Sequence, residues 1–202
     1  MPHDRERLPV YLAAGGQSSR FGSPKSRALV AGEPLIQRVA RLLQPWTSTV
    51  HAVAAPGASF ADLNLHTIPD LHPGAGPLAA LHAALHHVGN AAWLLLASCD
   101  TIVVEPHWID TLLAARSPNT MAVAFQHPDG AVEPLLAVYR STLRDEVNNC
   151  VAGEHRSLSG MLRALAARGE ATLLTLPADW PPFVHVNTPA ELAQGVSHRN
   201  ND

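Results

Sequence analysis

Residues 8–14, reading LPVYLAA, are apolar almost without a break and stop at Gly15-Gly16. A strand with one wet face alternates apolar and polar residues, whereas a strand covered on both faces does not. The run therefore predicts a buried parallel strand, and with it helices on both sides of a sheet. The rest of the chain supplies them. Residues 34–43 carry Leu35, Ile36, Val39, Leu42 and Leu43 on one helical face behind Glu33-Pro34. Residues 48–55, 65–68 and 93–98 read as strands, and 78–88 as a helix launched by Gly74-Ala75-Gly76-Pro77. Helices over 106–116, 140–150 and 157–168 and strands over 121–125, 135–139, 172–176 and 183–186 complete the order. Thr188-Pro189-Ala190-Glu191 has the form of a capping box opening a last helix. Strands alternating with helices as far as Phe125 predict an α/β fold, a three-layer α/β/α arrangement around a mostly parallel central sheet. Gly and Pro fall at the joints, so a single domain over 1–202 is expected, with its core at about 8–194.

Composition removes several alternatives. Hydrophobic residues make up 47 % of the chain and charged residues 15 %, the opposite of a disordered balance. A net charge of −3 does not suit broad nucleic-acid binding, which needs a positive surplus. No apolar run reaches the ~18 residues that cross a bilayer, and no signal-peptide core follows the polar residues 1–7. Cys99 and Cys150 are too few for a disulfide framework. A reduced, cytoplasmic protein without nucleic-acid or membrane partners is expected. The 12 histidines are scattered, with His86-His87 the one adjacent pair and no HExxH or Cys/His spacing, so they read as surface or helix-face residues.

The loop after the first strand, AAGGQSSRFGSPK over 13–25, combines glycines with Arg20, Lys25 and Arg27, and no acidic residue interrupts 15–32. Glycines let backbone N–H groups approach a phosphate, arginine grips its oxygens bidentately, and lysine supplies a compact charge. Ser18 and Ser19 add hydroxyls. Lys25 is the one lysine among 14 basic residues. The spacing fits neither the P-loop nor the GxGxxG dinucleotide fingerprint. Loops this long without their own structure are uncommon unless they are functional.

Two aspartates stand just past predicted strand ends, where open α/β sheets bind ligands. Asp100 follows LLLASC and suits Mg²⁺, a hard ion that takes one or two carboxylates and completes its shell with phosphate oxygens and water. Its alternative role is a loop aspartate before the helix opened by Glu105-Pro106. Asp70 either accepts hydrogen bonds from a base or ribose, or caps the turn it begins. Cys99 has no base at a suitable spacing and reads as a buried structural thiol.

These pieces resemble the MobA-type nucleotidyltransferases, the molybdenum cofactor guanylyltransferases and their cytidylyltransferase relatives. Ala14-Gly15-Gly16-x-Ser18-x-Arg20-Phe21-Gly22-x-x-Lys25 is similar to the family's AGGxSxRMGxDK signature. DLHPGAGPL over 70–78, LLLASCDT over 94–101, Glu133-Pro134-Leu135 through Tyr139, and FVHVNTPAEL over 183–192 resemble its later motifs, in order. The resemblance implies the nucleotide-diphospho-sugar transferase (Rossmann-like) fold. It also implies transfer of a nucleoside monophosphate from GTP or CTP to the phosphate of molybdopterin, with pyrophosphate released. By motif, Ala13, Ala14, Gly15, Gly16 and Ser18 would hold the nucleotide. Arg20 and Lys25 would bind phosphate, Asp70 would contact the nucleotide, and Asp100 would carry Mg²⁺. Glu133 and Asn187 would face the acceptor; Asn187 reads equally as a turn residue before the final helix cap. Maturation proteins of molybdoenzymes are implied as partners.

The chain departs from the pattern in four places. Pro24 replaces an aspartate, Ile102 a proline and Ala13 a leucine, and Ala54-Ala55 stand where an asparagine is common. These changes bear on guanine specificity, so CTP or another phosphorylated acceptor stays open. A non-catalytic nucleotide-binding maturation partner is the alternative of a different class. For a catalyst, the acceptor phosphate is already ionised at neutral pH. In-line attack on the α-phosphorus then needs positioning and charge neutralisation rather than a strong base.

Overall fold

In the computed structural model, which describes residues 6–15, 25–101, 103–153, 157–177 and 180, β1 (Leu8–Ala13) lies inside a seven-stranded sheet. A small antiparallel ribbon follows, β2 (Leu29–Val30) with β3 (Glu33–Pro34), and leads into α1 (Leu35–Leu43). Then come β4 (Thr47–Ala54), β5 (His66–Pro69), α2 (Pro77–His87), β6 (Trp93–Ser98) and α3 (Pro106–Ala114). β7 (Ala122–Gln126), β8 (Val132–Arg140), α4 (Arg144–Ala152), α5 (Leu158–Ala167) and β9 (Ala171–Thr175) close the described chain. The strand order is β5-β4-β1-β6-β8-β7-β9. β1 pairs parallel with β4 and β6, β4 with β5, and β7 with β9; β8 alone runs antiparallel, between β6 and β7.

The apolar run of β1 is explained by its two faces. Val10 and Leu12 pack with Ile36, Val39 and Leu43 of α1 and with Trp108 and Leu112 of α3. Tyr11 and Ala13 point the other way, into a core with Leu78, Leu81 and Leu85 of α2 and Leu162 of α5. Two separate cores on opposite faces are the three-layer arrangement expected from the sequence. On the α2 side, His51 of β4 stacks on the Tyr11 ring at 5.2 Å. Burial, with His87 and His66 close by, lowers the His51 pKa to about 4. Among the described residues no helix is long and apolar enough to cross a membrane.

Several boundaries move for identifiable reasons. Pro34 pairs with Leu29 in the ribbon and is extended, at φ −57° and ψ 137°, so α1 begins one residue later than expected. Arg140 does not open a helix. It stands opposite Trp93 as the last residue of β8, and its guanidinium donates to the Pro118 carbonyl at 2.5 Å. The chain then makes a 3-10 turn, Ser141–Leu143, before α4. β8 is longer than the expected 135–139 because neighbours on both sides extend its pairing. Its register against β7 jumps from Val138, opposite Val123, to Glu133, opposite Phe125, leaving Pro134 to Ala137 as an irregular stretch on that side. Proline has no N–H for a ladder, and bulges re-aim side chains near sites. The expected strand over 183–186 and the helix after Thr188 lie outside the described residues.

Candidate active site

Because β1, β4, β5 and β6 are parallel, their carboxyl ends share one edge of the sheet. Backbone bonds carry the order slightly beyond each strand. The Ala14 N–H donates to the Val53 carbonyl at 2.8 Å, the Cys99 N–H to Ala13 at 3.2 Å, and the Asp70 N–H to Ala54 at 2.7 Å. Ala13 to Gly15, Asp70 and Cys99-Asp100 are thereby fixed around one opening. A cavity of about 320 Å³ lies there, lined by Ala13, Gly15, Asp70, Gly76, Ser98 and Leu135 among others. That volume is within the range of small-ligand sites, ~300–1,000 Å³. Gly76, at the N-cap of α2, has φ 67° and ψ −150°, a conformation open essentially to glycine alone. It lets the 70–77 loop turn sharply along the cavity wall into Pro77.

Lys25 and Asp100, 75 residues apart in sequence, meet at this edge. The Lys25 Nζ donates to Asp100 Oδ2 at 2.5 Å, and the two side chains are only 18 % and 17 % exposed. Lys25 opens a 3-10 turn, Lys25–Arg27, whose Ser26 is buried and whose Lys25 carbonyl accepts the Ala28 N–H at 3.0 Å. Arg27 was expected to add to the positive field of the loop, but it is committed elsewhere. Its guanidinium forks onto both carboxylate oxygens of Asp62 at 2.8 Å and donates to the Ser59 carbonyl. Its part is thus to anchor the turn that holds Lys25.

Asp70 caps the turn it begins, and its second oxygen faces the glycine loop. Oδ1 accepts the His72 N–H at 2.8 Å, which caps the turn, while Oδ2 faces Gly15 so closely that a Cβ there would stand 3.8 Å away. Glu133 sits at the start of β8 on the same sheet edge, accepting the Leu135 N–H at 3.3 Å with His127 4.0 Å from its other oxygen. It stands two residues before the cavity-lining Leu135. Cys99 is buried, and burial, reinforced by Asp100, pushes its thiol up to about 12. It is a structural thiol. Iodoacetamide on the folded chain should label the partly buried Cys150 and reach Cys99 only in denaturant, as read by peptide mass spectrometry. Equal labelling of both in the folded state would contradict the burial. Gly16, Ser18, Ser19, Arg20, Pro24, Ile102 and Asn187 lie outside the described residues.

Ser98, Leu135 and Ala80 also line the cavity, and reading the sequence did not single them out. Ala80 was detectable in principle, three residues after Pro77 on the same face of α2. Leu135 shares the α2-side face of β8 with Ala137 and Tyr139, and it meets the cavity because β8 is inserted beside β6, a long-range pairing that no local pattern announces.

The family model for a MobA-like NTP transferase domain matches residues 10–159. A Deinococcus radiodurans protein named "Probable molybdenum cofactor guanylyltransferase" is 36 % identical over 188 residues, covering 93 % of each chain. The Rhizobium meliloti "Molybdenum cofactor guanylyltransferase" is 32 % identical over 202 residues, covering 92 % of this chain and 89 % of that one. Among solved structures, the molybdopterin-guanine dinucleotide biosynthesis protein A of Archaeoglobus fulgidus superposes with a TM-score of 0.75 at 24 % identity. That match covers 96 % of this chain and all of the other.

Proposed function

The chain belongs to the MobA-like NTP transferase family, and from that membership we propose that it transfers GMP from GTP to the phosphate of molybdopterin. A terminal phosphate oxygen of the acceptor forms the new bond to the α-phosphorus. The bond from that phosphorus to the β-phosphate bridging oxygen breaks, and pyrophosphate leaves. The relatives' names support the reaction class. The observation that carries the reading is the Lys25–Asp100 pair at 2.5 Å, just past the end of the strand whose Ser98 lines the cavity. It joins a cation and a carboxylate where parallel strands end, as charge-assisted gripping of a triphosphate requires.

In this reading Lys25 leaves Asp100 and donates to phosphate oxygens, and Arg20 supplies a second cation, so that positive charge meets the leaving pyrophosphate. Ala13 to Gly16 and Ser18 border the nucleotide, and Asp70 Oδ2 accepts from its ribose or base while Oδ1 keeps the turn closed. Asp100 fits a hard divalent ion, being one partly shielded carboxylate at a strand end that leaves other positions to phosphate and water. Mg²⁺ held there would neutralise phosphate charge and make the α-phosphorus more electrophilic. Glu133 and Asn187 face the acceptor; a carboxylate at Glu133 suits the N–H groups of a pterin rather than its phosphate. We read 1–202 as one nucleotidyltransferase domain working in the cytoplasm. The two unbridged cysteines fit a reducing compartment. Molybdoenzyme maturation proteins are the expected recipients of the product.

The test is a thermal-shift titration with GTP, CTP, ATP and UTP in the presence of Mg²⁺, followed by a pyrophosphate-release assay with molybdopterin. GTP at ~100 times its Kd should raise the Tm by roughly 5–10 °C, and pyrophosphate should appear only when the acceptor is added. A larger shift with CTP would reassign the nucleotide. Nucleotide binding with no pyrophosphate release would make the chain a binding protein and overturn catalysis.

A further inference from the structure

Histidines that are far apart in sequence meet at a second place, away from the nucleotide cavity. His51 of β4 and His66 of β5 are direct register partners, and Tyr11 of β1 is the partner of His51 on its other side. The three side chains therefore lie in a row on one sheet face. His87, the last residue of α2, comes down onto that row. Its ring centroid is 4.6 Å from that of His51 and 5.7 Å from that of His66. α2 begins at the cavity wall with Pro77 and ends here, ten residues later. At ~1.5 Å per residue, the two places are about 15 Å apart along the helix.

One ligand nitrogen from each of His51, His66 and His87 lies within 4.8 Å of the others, and the group contains no carboxylate. In a tetrahedral site with ~2.0–2.1 Å bonds, such nitrogens stand roughly 3.4 Å apart. His66 and His87 are exposed and can close the difference by side-chain rotation. The His51 and His66 Nδ1 atoms are already 3.2 Å apart. The His87 Nδ1 lies 3.0 Å from the buried Tyr11 hydroxyl. That contact leaves Nε2 for an ion and supplies the outer hydrogen bond that orients metal-binding imidazoles. The geometry points to a binding site for one first-row divalent transition-metal ion, of the zinc type, formed by His51, His66 and His87 with Tyr11 orienting His87. Three imidazoles without a carboxylate select zinc, cobalt, nickel or copper and discriminate against magnesium. The site is therefore chemically distinct from Asp100, and its existence does not depend on the nucleotide chemistry.

The test uses the untagged full chain stripped with EDTA and titrated with Zn²⁺ against a chromophoric chelator, with Co²⁺ as the spectroscopic probe. The parent should take up about one equivalent of Zn²⁺, and Co²⁺ should give the visible bands of a low-coordinate nitrogen site. His66→Gln and His87→Gln alter exposed side chains, so folding should survive; each should weaken Zn²⁺ at least ~10-fold and abolish the Co²⁺ bands. Their Mg²⁺-supported pyrophosphate release should match the parent. His86→Gln, in the neighbouring His72/His82/His86 group, should leave Zn²⁺ binding unchanged. No saturable Zn²⁺ uptake by the parent would overturn the site, as would undiminished uptake by both His66→Gln and His87→Gln. Loss of uptake in His86→Gln alone would move the site to the other group and equally overturn this one.

Discussion

Lys25→Ala should lower the rate of pyrophosphate release by ~10²-fold or more, the scale on which loss of one oriented charge donor acts. That is about 2.7 kcal/mol of transition-state stabilisation. The argument is electrostatic. The Nζ is held 2.5 Å from Asp100 in a shielded setting. A triphosphate brings several negative oxygens into that setting, and the ammonium has more to gain from them than from one carboxylate. As the bond to the leaving pyrophosphate breaks, charge builds on its oxygens, so the contact strengthens and the loss falls on kcat more than on KM. Lys25→Arg keeps the charge but changes its shape and reach, and should recover only part of the rate. Lys25 is the chain's one lysine, so amine-directed reagents report on this position and the α-amino group alone. GTP with Mg²⁺ should protect it from them. A Lys25→Ala variant with the parent's kcat would remove Lys25 from the chemistry.

The position of Lys25 also shows what a linear reading can and cannot reach. The strands at 8–13 and 93–98 were legible because covered strands lose their polar alternation. Asp70 and Asp100 were legible as the first acidic residues beyond strand ends. The meeting of Lys25 with Asp100 followed from parallel strands placing their carboxyl ends together. What stayed hidden depended on pairing between distant segments. β8 enters between β6 and β7 and runs against both, and only that insertion sets Leu135 at the cavity. Arg27 looked like a phosphate ligand because the loop around it has no acid, yet Asp62, 35 residues on, captures it. His51, His66 and His87 looked scattered because their proximity is set by a strand register and a helix length, neither written in their spacing.

Asp100→Asn should have the larger effect, a loss of ~10³-fold in turnover, at the upper end for removal of one preorganised electrostatic group. The substitution preserves shape and hydrogen-bonding reach and deletes only the charge, so the chain should fold as the parent does. Lys25 then faces an amide oxygen instead of a carboxylate; with the two side chains only 18 % and 17 % exposed, losing the ion pair costs some stability, which a melting curve of Asp100→Asn separates from the loss of turnover. The nucleotide dependence separates the two roles of the carboxylate. If Asp100 served only to hold Lys25, Asp100→Asn would free the ammonium and GTP would bind at least as tightly at any Mg²⁺ concentration. If it also carries the divalent ion, the Mg²⁺ concentration needed for half-maximal GTP binding should rise by more than ~10-fold. The double variant Lys25→Ala/Asp100→Asn should lose less than the product of the single losses, because contacting residues act as a coupled unit. A parental Mg²⁺ dependence and parental turnover in Asp100→Asn would leave the carboxylate as a structural partner of Lys25. Catalysis would then have to be sought in groups other than this pair.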